Sequence, residues 1–283
     1  MKIHPQFITL FFSLFIISII SGCTQPNEYP VPAEYDLNHP VKIEMPIDLD
    51  EISGIIYYPK DTAIFAEGDE AGILYKIFPN RHTEFQKWKF GKNADYEDLQ
   101  LVDSTFYILS SKGNLAAIKF YSPDSLNVVG FEFPEKGNEF ESLYFDKAQN
   151  KLIMLCKNCK DDKKSAVSSW AFNLSTQLFE RGALIIDPKD LGKKENGKKF
   201  KFKPSATAIN PLTNELFIIS SVNKMLVIAT ATGEVKKVYP LNPALYKQPE
   251  GMAFTSSGDL LISNESAKEG PANILVFKLK RKN

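Results

Sequence analysis

Short apolar runs, separated by Gly, Pro, Asn, Asp and Ser, fill most of the chain beyond residue 40. They keep strand length and show no sustained helical period, so they predict strands rather than amphipathic helices. One run, "NEFESLYF" at 138–145, places Glu141 among Phe140, Leu143 and Phe145. An unpaired charge inside a buried strand is costly, so the position asks for an explanation.

The run is one of five. "ISGIIY" (52–57), "YEDLQL" (96–101), "FESLYF" (140–145), "PSATAI" (204–209) and "PEGMAF" (249–254) align, with second positions Ser53, Glu97, Glu141, Ser205 and Glu250. The spacings are 44, 44, 64 and 45 residues. The next column is small or short: Gly54, Asp98, Ser142, Ala206 and Gly251. A second apolar strand follows each motif and ends in a polar column of Glu67, Ser111, Lys157, Ser221 and Asn264. Third and fourth strands complete each unit, except that the last unit has only three. "VKIEMPI" at 41–47 resembles "VKKVYPL" of the fourth unit and supplies the missing strand.

Four strands repeated at this period predict an all-β fold, a β-propeller of five four-stranded blades over 41–280, closed by the N-terminal strand. A six-bladed ring is the alternative. It would hide a blade in the 64-residue interval, whose extra length is too small for one.

In such a ring the first strand of each blade lines the channel, and the antiparallel second strand ends at the same rim. Two polar columns therefore meet at one mouth. A third set two residues upstream joins them: Glu51, Asp95, Glu139, Lys203 and Gln248. Three glutamates facing one axis repel unless they take up protons, water, lysine partners or a cation. Ca²⁺ suits carboxylates and flexible coordination, so Glu97, Glu141 and Glu250 are the expected metal ligands. The remaining rim positions are expected to line a ligand site. A hydrated channel without an ion is the plain alternative.

Composition changes this picture little. Lysine plus arginine and aspartate plus glutamate both number 34 in 283 residues, so no global field points to nucleic acid. A monomer is expected. Local charge matters more. "CKNCKDDKKSA" (156–166) and "DPKDLGKKENGKKFKFK" (187–203) are lysine-rich loops at the same rim, suited to an anionic small molecule or glycan. Solvated loops are the bland reading of them.

The N-terminus reads differently from the rest. "MKIHPQFITLFFSLFIISIISGC" has a basic start, an apolar run and small residues before Cys23, which predicts a signal peptide over 1–22. Its "ISGC" end resembles a bacterial lipobox, which implies lipid on Cys23 and a cell-envelope location. By analogy with envelope sorting, Thr24 after the cysteine favours the outer membrane. Residues 23–40, rich in proline, predict a flexible tether.

Cys156 and Cys159 form an isolated CxxC, expected as a disulfide outside the cytoplasm; no second ligand pair makes a zinc site. His39 and His82 fall in no repeated column, so a Ser–His pair lacks support. Phosphate-binding loop and nucleophile-elbow motifs are absent from the sequence.

"EISGIIY", "DYEDLQL", "EFESLYF" and "QPEGMAF" resemble motifs of the SdiA-regulated (YjiK-like) family of bacterial envelope proteins. The likeness spans roughly 43–280 and implies a propeller related to phytase-like and NHL-type groups. Phytase-like propellers hydrolyse phosphoesters with carboxylates, calcium and basic residues. Here Ser53 and Ser205 replace two possible acids, which weakens the case for a multi-calcium catalytic centre. Three functions follow as expectations: a lipid-anchored ligand-binding module using Ca²⁺, a calcium-dependent phosphoesterase with Lys203 orienting phosphate, or a protein-binding scaffold.

Overall fold

A computed structural model describes residues 28–79, 84–160, 162, 166–192, 201–266 and 270–281. The first strand, β1 (Val41–Glu44), precedes the first complete blade. That blade contains β2 (Ile52–Tyr58), β3 (Ala63–Gly68), β4 (Ile73–Ile77) and β5 (Phe85–Lys89). The second contains β6 (Tyr96–Val102), β7 (Thr105–Ser110), β8 (Leu115–Ser122) and β9 (Ser125–Phe131). The third contains β10 (Asn138–Asp146), β11 (Lys151–Cys159), β12 (Ser169–Asn173) and β13 (Leu178–Arg181). The fourth contains β14 (Ala206–Ile209), β15 (Leu216–Ser220), β16 (Met225–Ala229) and β17 (Val235–Pro240). The fifth contains β18 (Pro249–Phe254), β19 (Leu260–Asn264) and β20 (Asn273–Phe277).

The sheet order β1-β20-β19-β18 puts the N-terminal strand on the outside of the fifth blade. Val41 pairs with Val276 and Glu44 with Asn273, antiparallel. The fold is therefore a five-bladed β-propeller closed as the repeat predicts, and six blades are excluded. Closure leaves no end blade exposed, because the first and last segments of the chain share one sheet.

Five apolar clusters fill the five gaps between neighbouring blades. Between the first and second blades, for example, Phe65, Leu74 and Ile118 pack with Phe106, whose ring lies 4.5 Å from that of Phe65. Inner strands touch two clusters and are buried on both faces. Outer strands such as β17 carry exposed lysines, Lys236 and Lys237, on their solvent side.

The tether expectation is corrected over its second half. Tyr35 and Leu37 are buried in the cluster between the fourth and fifth blades. The Tyr35 hydroxyl donates to Gly258 O at 2.8 Å, and Tyr246 donates to Leu37 O at 2.9 Å. Two large apolar side chains outweigh the proline-rich composition around them. Cys23 and the predicted signal peptide lie outside the described residues. The same holds for His82 and for Lys193, Lys194, Lys198 and Lys199 of the second lysine loop.

Candidate functional site

The inner strands β2, β6, β10, β14 and β18 surround the channel, and their N-terminal ends form one mouth. The repeated glutamates stand there because each sits on a β-bulge. Tyr96 faces Ser110 and Asp98 faces Leu109, so Glu97 is passed over. Phe140 faces Cys156 and Ser142 faces Leu155, passing over Glu141. Pro249 faces Asn264 and Gly251 faces Ser263, passing over Glu250. In β2 the register slips between Ile52 and Ile55, around Ser53. A bulge frees one residue from the ladder and re-aims its side chain, which turns these carboxylates out of the strand core and toward the channel.

The column after the glutamates has a different task. Asp98 is buried, accepts from Leu99 N at 2.8 Å, and reaches across to accept from Leu143 N of the third blade at 2.7 Å. A Cβ on Gly54 would stand 2.6 Å from Asp98 Oδ1, and one on Gly251 would stand 2.3 Å from Ser53 O. These close approaches join neighbouring inner strands. Ser263 Oγ donates to Ser53 O at 2.8 Å, and Ser205 Oγ donates to Pro249 O at 2.7 Å while accepting from Ser221 N at 3.1 Å. Ser53 and Ser205 are thus buried tie points between blades rather than rim ligands.

The second column also divides. Glu67 and Asn264, expected on the rim, have 0% exposure. Glu67 Oε1 accepts from Gly54 N at 2.9 Å, and its Oε2 has no partner; Asn264 Oδ1 also has none. Burial pushes the Glu67 carboxyl well above the carboxylate range, with Asp98, Glu97 and Asp69 adding to it. Ser111 Oγ donates to Asp95 Oδ2. Lys157 forms an ion pair with Glu141, so this glutamate is already neutralised. The partners sit on facing bulges: the register passes over Glu141 in β10 and Lys157 in β11. The Cys156–Cys159 disulfide brackets the bulge that carries Lys157.

What remains at the mouth is strongly acidic. Burial raises Glu97 to about 8, helped by Asp95, and Lys157 opposes this. Glu250 is raised by burial, against a hydrogen bond from Ser221 and the charges of Lys157 and Lys224. Two residues not anticipated from the repeat complete the group. Glu265, which accepts from Gln248 Nε2, is raised to about 8 by burial and by Glu250, Asp69 and Glu51. Asp69 is raised to about 7 by burial, by its hydrogen bond with Glu51 and by the charges of Glu51, Glu70 and Asp95. Both lie one or two residues beyond the aligned second column, after Asn264 and Glu67. Glu139 is exposed, and Lys203 is half-buried with its backbone N–H on Asn223 Oδ1.

The expected three-glutamate cage is corrected. Among the described residues, no three carboxylates bring an oxygen within 4.8 Å of one another; the one such acidic or thiol group is Cys156, Cys159 and Asp162, and its cysteines are joined. The mouth does offer hard oxygen donors in Glu97, Glu250, Glu265 and Asp69, whose Oδ1 is buried without a partner. This donor set fits a cation held partly through water, not a dehydrated protein cage.

No protein-family model and no curated protein matches the sequence. Solved structures with a similar fold include a glutaminyl cyclase from Myxococcus xanthus, with a TM-score of 0.55, 13% identity, and 86% of this chain and 97% of that one covered. Regucalcin from Agrobacterium tumefaciens strain C58, a calcium-binding protein, has a TM-score of 0.52 at 12% identity, covering 88% and 95%. A streptogramin B lyase has a TM-score of 0.52 at 9% identity, covering 86% and 98%. At such identities the likeness shows the propeller fold alone. The resemblance to the SdiA-regulated family is without a match at sequence level.

Proposed function

We propose that this propeller is a cation-binding module of the bacterial cell envelope, held to the membrane by lipid on Cys23 and taking Ca²⁺ at its acidic mouth. The observation that carries the reading is the crowding of Glu51, Asp69, Glu97, Glu250 and Glu265 around one opening, opposed by Lys157 and Lys224. Lys157 is committed to Glu141, and Lys224 donates to Lys247 O. Burial and mutual repulsion raise Asp69, Glu97, Glu250 and Glu265 above the usual carboxylate range, and a bound cation would favour their ionised form. Glu97 and Glu250 would hold the ion, with Glu265 and Asp69 beside them. Regucalcin, similar in fold, is a calcium-binding protein, which supports the reading weakly because no site transfers at 12% identity.

The lipobox-like "ISGC" and the resemblance of four motifs to SdiA-regulated proteins support the envelope placement, and Thr24 after the cysteine supports the outer membrane. Lys201 and Lys203, just before β14, suit an anionic small molecule or glycan brought in beside the cation. The test is thermal melting with and without millimolar Ca²⁺, together with metal analysis of the purified protein. Ca²⁺ should raise the melting temperature of the wild type and leave the Glu97→Gln, Glu250→Gln double variant unmoved. A wild type with no bound ion and no shift would sink the reading.

A second reading draws on Glu97 alone. A carboxyl that titrates near neutral pH in a channel mouth has the properties of a general acid or base. Calcium-dependent phosphoester turnover that disappears in Glu97→Gln would replace binding by hydrolysis. Neither calcium binding nor turnover would leave the protein-binding scaffold.

A further inference from the structure

We infer that the propeller rests with the face opposite the acidic mouth against the bilayer, so that the mouth opens away from the membrane. The inference rests on the lipid anchor at Cys23 proposed above. It starts from where the N-terminal strap docks. Tyr35 sits between turns that lie at the far ends of the inner strands. Its hydroxyl donates to Gly258 O in the β18–β19 turn and accepts from Asn210 Nδ2 in the β14–β15 turn at 3.1 Å. Beyond the end of β20, Lys280 N donates to Glu34 O at 2.8 Å. Tyr29 is tied to the same strap: its N–H donates to Asn38 Oδ1 at 3.3 Å, and Asn38 Nδ2 donates to Tyr29 O at 2.9 Å. The chain is therefore fixed to the body from Tyr29 onward.

Only five residue steps separate Cys23 from Glu28. Fully extended, they span at most about 18 Å. The inner strand β2 has seven residues, so the body measures roughly 20 Å along the channel before turns are added. A lipid on Cys23 thus reaches a bilayer at the opposite face, where the strap docks, more readily than one at the mouth.

Side chains of the opposite face suit this placement. Large exposed apolar side chains crown the opposite face on four blades: Tyr121 (72%), Leu178 (66%), Leu212 (57%) and Val41 (61%). They stand at the ends of β8, β13, β14 and β1 away from the mouth, where an interfacial layer accepts aromatic and aliphatic groups.

The experiment uses the mature chain from Cys23 onward. Cys156 and Cys159 are bonded to each other, so Cys23 is the one thiol available for coupling to maleimide lipid in phosphatidylglycerol-containing vesicles. A photo-crosslinking benzoylphenylalanine replaces Leu178, Leu212, Ile47 or Val222 in turn. The last two are exposed apolar positions on the mouth side, at 78% and 66%. Lipid adducts should be several-fold more abundant at Leu178 and Leu212. Equal or greater yields at Ile47 and Val222 would overturn the orientation. Mass spectrometry of the native envelope fraction separately reads Cys23: an unmodified cysteine would overturn the anchoring itself.

Discussion

Replacing Glu97 by glutamine should stabilise the ion-free protein at neutral pH and leave it nearly unchanged in mild acid. In the unfolded chain this carboxyl ionises at its ordinary value of 4.5; in the folded mouth it ionises at about 8. Between those values the native state holds a proton that the unfolded chain has released. Its stability is complete below 4.5 and falls as pH rises toward 8. At pH 7, about 2.5 pH units above the unfolded value at about 1.4 kcal/mol each, the loss is roughly 3 kcal/mol. Glutamine does not titrate and keeps the amide geometry of a protonated carboxyl, so Glu97→Gln should recover much of this. Urea denaturation with chelator present, at pH 4.5 and pH 7, reads the difference. A similar gain at both pH values, or none at pH 7, would refute an acidic mouth held together by protons.

Other substitutions test separate links. Asp98→Ala removes the acceptor for two backbone N–H groups at 2.8 and 2.7 Å and should cost about 3 kcal/mol or more in urea, because both donors are left buried. Gly251→Ala forces a methyl to within 2.3 Å of Ser53 O, where the fifth blade meets the first, and should lower stability by about 1–3 kcal/mol in the same assay. Lys157→Gln deletes a positive charge that acts on Glu97, Glu250 and Glu265, so it should tighten Ca²⁺ binding in calorimetry, whereas Glu250→Gln should weaken it.

The ring was legible because each blade repeats the same inner-strand motif, and because "VKIEMPI" matched the outer strand of another blade. What the repeat could not convey is where an aligned residue points. Glu97, Glu141 and Glu250 share a column and a bulge, yet Glu141 meets Lys157 and the other two do not. Glu67 and Lys157 also share a column, but one is sealed between blades and the other reaches the mouth. Asp98 looked like one of several short residues beside a motif; only the approach of β10 reveals it as the acceptor for Leu143. Asp69 and Glu265 occur in single blades, so no column drew attention to them. Tyr35 and Leu37 were masked by neighbouring prolines, which describe a chain's stiffness and say nothing of what it packs against.

In the proposed function, carboxyls kept protonated by burial and repulsion give up their protons to a cation. Calorimetric titration of Ca²⁺ at pH 7, run in two buffers of different ionisation enthalpy, measures this directly. Saturable binding is expected, with an apparent enthalpy that changes with buffer, since Glu97 and Glu265, each raised to about 8, must release protons as the ion enters. Binding with no proton release, or no binding at millimolar Ca²⁺, would contradict it.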